Sequence, residues 1–189
     1  MLRLFIALEM DTLLHAGIEA LANDIKRLGL HASWVPVHNM HLTLKFLGDT
    51  DEKFVEPVKR IIDECAHVTA PFEISLQDAG VFPDFRRPRV LWLGCSDSSG
   101  STSKLHGFLE SKLSHLGFPL ENRHFSPHLT LARIKSPKNK EDLRRFLAEK
   151  QGDLLIGKSR IEGITLFKSD LSQAGAIYAT LYNVRMKNE

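Results

Sequence analysis

Two segments of this 189-residue chain read HLTL, His41 to Leu44 and His128 to Leu131. In an extended strand successive side chains alternate faces, so each segment displays His beside Thr on one side and leucines on the other. A polar pair on an otherwise core-forming strand calls for an explanation. Two imidazoles facing one phosphorus suit in-line displacement at a phosphodiester. One takes a proton from the attacking water and the other gives a proton to the leaving oxygen; an unperturbed pKa near ~6.5 populates both states near neutrality. The hydroxyls of Thr43 and Thr130, one strand repeat from the rings, can donate to non-bridging phosphate oxygens as charge builds there.

Two other readings compete. A single H-L-T on a strand is usually a histidine hydrogen-bonded at a sheet edge, and only its duplication favours chemistry. Metal binding is suggested by His38 with His41 and His124 with His128, whose spacings resemble zinc ligands. Strand geometry opposes it, because residues three apart face opposite sides and residues four apart lie roughly 13 Å from each other. The remaining histidines read as background, with His15, His67, His106 and His115 on helices and His31 in a connection.

The elements that must position the two motifs follow from periodicity. Leu2 to Leu8 alternates as a mostly buried strand, and Asp11 caps a helix with Leu14, Ile18, Leu21, Ile25 and Leu28 on one face, ending at Gly29. His41 to Gly48 reads as a strand, followed by a helix bearing Val55, Val58, Ile61, Ile62 and Cys65, with Pro57 in its first turns. Strands are expected at Phe72 to Gln77 and Arg89 to Cys95. The polar run Ser96 to Ser103 is the best hinge between halves. The series then starts over: a helix over Lys104 to His115, the strand His128 to Ile134, a helix over Glu141 to Lys150, and strands at Arg160 to Phe167 and Ala176 to Met186. The two motif histidines are 87 residues apart and similar elements recur around them at nearly that offset, so the chain reads as an internal duplication. One domain of two lobes is expected, residues 1–97 and 98–189. If the lobes pack about a pseudo-twofold, the two strands meet beside the axis and their His and Thr side chains face one cleft.

Composition is that of a folded globular protein, with 43% hydrophobic and 25% charged residues. Cys65 and Cys95 each lie among apolar neighbours, which suggests buried thiols in a reducing compartment. The apolar start is broken by Glu9 and Asp11, too early for a signal or a span, so a cytoplasmic location without membrane contact is expected. A formal net charge of +2 falls short of the basic stripe of a protein that coats nucleic acid; any such contact is expected to be local, at an end or a single phosphate.

With these residues in view the chain resembles the 2H phosphoesterase superfamily, defined by two H-x-T/S-x motifs, and within it the RNA 2′,3′-cyclic phosphodiesterases, also called 2′-5′ RNA ligases. The stretches that carry the likeness are RLFIALEM (Arg3 to Met10), WVPVHNMHLTLKFLGDT (Trp34 to Thr50), VFP and PRVLWLG (Val81 to Gly94), LGFPLENRHFSPHLTLARIK (Leu116 to Lys135) and LFKSDLSQAGAIY (Leu166 to Tyr178).

The resemblance implies an α+β fold of two pseudo-symmetric lobes, each an antiparallel sheet with outer helices, around a central cleft. It implies hydrolysis of a 2′,3′-cyclic phosphate at an RNA end to a 2′-phosphate without metal or nucleotide cofactor. His41 would protonate the departing 3′ oxygen and His128 would activate the water. A monomer acting on RNA is expected, with 2′-5′ ligation or non-catalytic RNA-end binding as the alternatives. The family commonly carries Arg after its second motif, which points to Arg133 as a phosphate or backbone ligand. Strict alternation puts Arg133 opposite His128, so that role requires a twist or bulge near Ala132. Lys45 shares parity with His41 and Thr43 and is the geometrically better cation. Phe5, on the less apolar face of the first strand, is a candidate for stacking on a terminal base.

Overall fold

The computed structural model describes residues 1–136, 138–172 and 175–187, so Gln173 and Ala174 of the LFKSDLSQAGAIY stretch lie outside the described residues. The strands are β1 (Leu2–Leu8), β2 (Ala32–Trp34), β3 (Leu42–Thr50), β4 (Phe72–Phe82), β5 (Val90–Ser96), β6 (His128–Ile134), β7 (Leu155–Ile161), β8 (Gly163–Ser172) and β9 (Gly175–Arg185). The helices are α1 (His15–Lys26), α2 (Val55–His67), α3 (Ser101–Ser114) and α4 (Lys140–Glu149).

Local chemistry explains the helix starts. The Asp11 carboxylate accepts from the Leu13 amide and Asp51 from the Lys53 amide, each heading a short 3-10 turn that leads into α1 or α2. Ile18, Leu21, Ala22 and Ile25 form the buried stripe of α1, and Val58, Ile61, Ile62, Cys65 and Ala66 that of α2. The polar run expected as a hinge already contains the first turn of α3, because Asp97 reaches over it: its carboxylate accepts from the amide and hydroxyl of Thr102.

Three strand expectations change. Beyond Gln77, β4 continues to Phe82 through a bulge in which Asp78 takes a φ of 55°. The run Arg160 to Phe167 divides at Glu162 into the end of β7 and the start of β8. The connection before the first motif contains β2, held by pairing with β6 rather than by its own pattern.

All described strands join one curled antiparallel sheet in the order β7-β4-β5-β6-β3-β1-β8-β9, with β2 paired beside β6. Its two halves, β7-β4-β5-β6 and β3-β1-β8-β9, each draw strands from both sides of the Ser96–Ser103 run. One face packs against the helices in the main core, where Leu4, Ile6, Leu42, Leu44, Leu91, Leu93, Leu129 and Leu131 meet residues of all four. A small second cluster, Phe5, Ala7 and Phe167 with Tyr178 against it, buries the opposite face of β1. Burial on both faces is why β1 reads as a nearly continuous apolar run.

Candidate active site

The two motif strands touch at a single residue pair, Leu42 against Leu129, which joins the halves of the sheet. In that antiparallel register His41 stands across from Thr130, and Thr43 across from His128. The four side chains therefore form a square around one point, and all four line a cleft of ≈ 460 Å³.

Each motif strand then carries a bulge at its second leucine. In β3, Phe46 pairs with Phe5 and Lys45 with Ile6, whereas Thr43 pairs with Ala7, leaving Leu44 without a partner. In β6, Ala132 pairs with Leu91 and Thr130 with Trp92, leaving Leu131 over. An extra residue reverses the side-chain parity that follows it. Lys45 and Ala132 consequently turn into the core, and the residues after them, Phe46 and Arg133, turn onto the cleft wall. The cleft thus holds the bulge-shifted Arg133 beside His128 and Thr130.

The same bulge overturns the expectation for Lys45. Its side chain is 3% exposed and forms an ion pair with Glu110 of α3, and its ammonium donates to the Pro119 carbonyl at 2.7 Å. The other Glu110 oxygen accepts from the Glu121 amide at 2.9 Å. Burial works to raise the Glu110 pKa, but hydrogen bonds from Lys45 and the Glu121 amide outweigh it and hold the carboxyl below its ordinary value. Lys45 therefore fastens the connection that leads into β6 and does not reach the cleft.

Phe5 lies in the lining of the same cleft. It is 3% exposed, with the His41 imidazole stacked on it (centroids 4.6 Å apart, 25° between planes) and Phe167 5.1 Å away. It lines the cleft as the floor beneath His41, with little of its ring exposed. The most exposed aromatic of the cleft is Phe46, 45% exposed, with the Arg3 guanidinium 4.9 Å from its ring centre.

Both motif histidines are oriented by the same device. His41 Nδ1 lies 2.9 Å from the Asn39 carbonyl and His128 Nδ1 lies 2.7 Å from the Ser126 carbonyl, two residues back in each case. A carbonyl only accepts, so Nδ1 carries the hydrogen and Nε2 is left free to take or give a proton. Their surroundings differ. His41 sits in an aromatic nest of Phe5, Phe167 and the edge of Tyr178, and desolvation there, opposed in part by the Asn39 carbonyl, pushes its pKa down to about 4. His128 is met on one side by the edge of Phe82, at 5.0 Å and 80°.

Arg3, Phe46 and Tyr178 are cleft residues that periodicity did not single out. Arg3 and Tyr178 lie on strands paired into the site from opposite ends of the chain, and the Phe46 side is set by the bulge, so none carries a local signal. Among the described residues no three His, Cys, Asp or Glu side chains converge as a metal-ligand set.

Known proteins match the chain throughout. The family model described as LigT like phosphoesterase matches it twice in tandem, over residues 12–92 and 93–178. A protein of Methanothermobacter thermautotrophicus named RNA 2′,3′-cyclic phosphodiesterase is 33% identical over 97% of this chain and 98% of its own length. One of the same name from Aeropyrum pernix is 36% identical over 87% of this chain and 92% of its own length. Among solved structures, a Thermus thermophilus protein superimposes with TM-score 0.82 at 26% identity, and Escherichia coli LigT with 0.74 at 22%, each covering 99% of both chains. With both repeats matched and relatives this similar over nearly the full length, the chain belongs to the LigT-like phosphoesterase family.

Proposed function

We propose that the protein hydrolyses 2′,3′-cyclic phosphodiester ends of RNA to 2′-phosphomonoesters by metal-independent two-histidine acid-base catalysis. The observation that carries this reading is the paired orientation of the imidazoles: each Nδ1 is committed to a backbone carbonyl, and each ring faces the other motif's threonine across the cleft. The names of the relatives point to the same substrate.

In the reaction, water attacks phosphorus and gives its proton to one Nε2, the P–O3′ bond breaks, and the other Nε2 supplies the proton that the 3′ oxygen takes up. Thr43 and Thr130 hydroxyls and the Arg133 guanidinium bind the non-bridging oxygens as negative charge grows on them. The family likeness makes His41 the acid and His128 the base. With its pKa pushed down to about 4 by burial, His41 is neutral at pH 7. It serves as the acid only once an anionic phosphodiester lies against it and favours the imidazolium. The burial of His41 taken alone favours the reverse assignment.

The test is incubation with an oligonucleotide ending in a 2′,3′-cyclic phosphate, in EDTA, followed by identification of the hydroxyl that keeps the phosphate. A 2′-phosphate product, with severe loss in both His41→Ala and His128→Ala, is expected. Full activity in either variant overturns the proposal. A substrate with sulfur at the bridging 3′ position, whose leaving group needs no proton, restores the acid variant only: rescue of His41→Ala supports the roles given above, and rescue of His128→Ala reverses them.

A further inference from the structure

The chain's small net charge conceals an uneven distribution. Arg86, Arg87 and Arg89 lie in the turn between β4 and β5, while Arg133 lies at the end of β6, Lys135 and Lys138 in the connection to α4, and Lys140 at the start of α4. The fold brings these two segments together. Val90 pairs with Arg133, the Ile134 amide donates to the Arg89 carbonyl at 2.9 Å, and the Lys140 ammonium donates to the Arg86 carbonyl at 3.2 Å.

The seven cations share this corner with two carboxylates, Asp84, bound by Arg86 at 3.0 Å, and Glu141, which lines a hollow with Arg86 and Lys140 and is paired with Arg144. The next carboxylate along, Asp142, is paired with Arg145. The corner is therefore strongly positive in a chain whose formal total is +2, and the rest of the molecule is net negative. Arg87, Arg89, Lys135 and Lys138 are exposed, and no described carboxylate lies within ion-pair range of any of them. An unpaired cluster of this kind is a site for a polyanion.

Its position names the polyanion. Arg133 belongs both to this cluster and to the cleft wall, and Lys135, two residues on, continues along the same side. A chain that leaves its terminal phosphate between the histidines meets Arg133 and then the cluster. We propose that this basic corner binds the backbone phosphates of the nucleotides immediately 5′ of the cyclic end, so that the enzyme selects RNA chains over cyclic mononucleotides. The inference rests on the cyclic phosphodiesterase reading above.

The experiment compares the wild type with the triple variant Arg87→Gln/Lys135→Gln/Lys138→Gln, none of which touches the reacting atoms. Substrates are 2′,3′-cyclic AMP and single-stranded oligonucleotides of increasing length with a 2′,3′-cyclic end. In the wild type, KM falls over the first few added nucleotides and rises with salt. In the variant, KM for the oligonucleotides rises about tenfold or more, with kcat and all constants for 2′,3′-cyclic AMP unchanged. Each phosphate contact contributes about 0.7 to the log-log salt slope for a single strand, so losing three lowers the slope by about 2. A wild-type KM indifferent to length, or a variant that keeps the length and salt dependence, overturns the proposal. Fluorescence anisotropy with a labelled oligonucleotide ending in a 2′-phosphate reads binding without turnover. Salt-dependent binding lost in the variant supports the basic corner even if no hydrolysis occurs, and binding equal in both proteins overturns it.

Discussion

His41 and His128 occupy equivalent positions but different media, and the difference is measurable. On the two-histidine mechanism proposed above, each His→Ala variant is expected to lower kcat/KM by roughly 10²–10⁴-fold, measured on a cyclic-ended oligonucleotide. The His41 ring also leaves a thermodynamic signature. Burial pushes its folded pKa down to about 4 from the ordinary 6.5, so between those values the unfolded chain binds the extra proton more readily. Stability from this group is complete above pH 6.5 and declines as pH falls towards 4, by about 3 kcal/mol in total. Urea unfolding at pH 7.5 and pH 4 is expected to show that decline in the wild type and a loss smaller by about that amount in His41→Phe. An unchanged pH dependence in His41→Phe would assign the titration elsewhere. The cysteines are a second residue-scale case: burial pushes both thiols up to about 12, so Cys65 and Cys95 are expected to resist alkylation by iodoacetamide at pH 8 until the protein is denatured.

At the scale of elements, the bulges at Leu44 and Leu131 convert two alternating patterns into a working pair of walls. Alternation correctly assigned His, Thr and the leucines up to those residues. Past them it gave the wrong side for Lys45 and for Arg133, since an extra residue is a property of the strand pair and not of either strand. The consequence for Lys45 is a buried ion pair that ties β3 to α3 and, through the Pro119 and Glu121 backbone, to the connection leading to Ser126 and His128. Lys45→Met leaves Glu110 charged and unpaired, and a loss of about 3–5 kcal/mol in chemical unfolding is expected. Lys45→Met/Glu110→Leu, which removes both charges, is expected to recover most of that loss. A double variant as unstable as the single one would show that the pair itself, and not the orphaned carboxylate, supplied the stability.

The whole molecule is a single sheet that mixes the two repeats. β1 lies between β3 and β8, and β5 lies between β4 and β6, so cutting the chain near residue 97 would strip both halves of the sheet of strand neighbours. A fragment of residues 1–96 is accordingly expected to remain unfolded alone, by circular dichroism and amide exchange. It is expected to gain structure when mixed with residues 97–189. A stably folded 1–96 fragment would show that the repeats are independent units.

The sequence by itself determined the duplication, the four helices, most strands, the two His-Thr pairs and the buried thiols. Each of these rests on local periodicity or on a repeated motif, which the chain carries wherever it folds. Only the tertiary structure decided the rest: that Phe5 lies under His41, that Lys45 is buried and Arg133 is in the cleft, that Arg3, Phe46 and Tyr178 join it, and that seven cations from two segments make one corner. Those features depend on which strands pair and in what register, and an antiparallel sheet sets both through contacts between residues far apart in the chain.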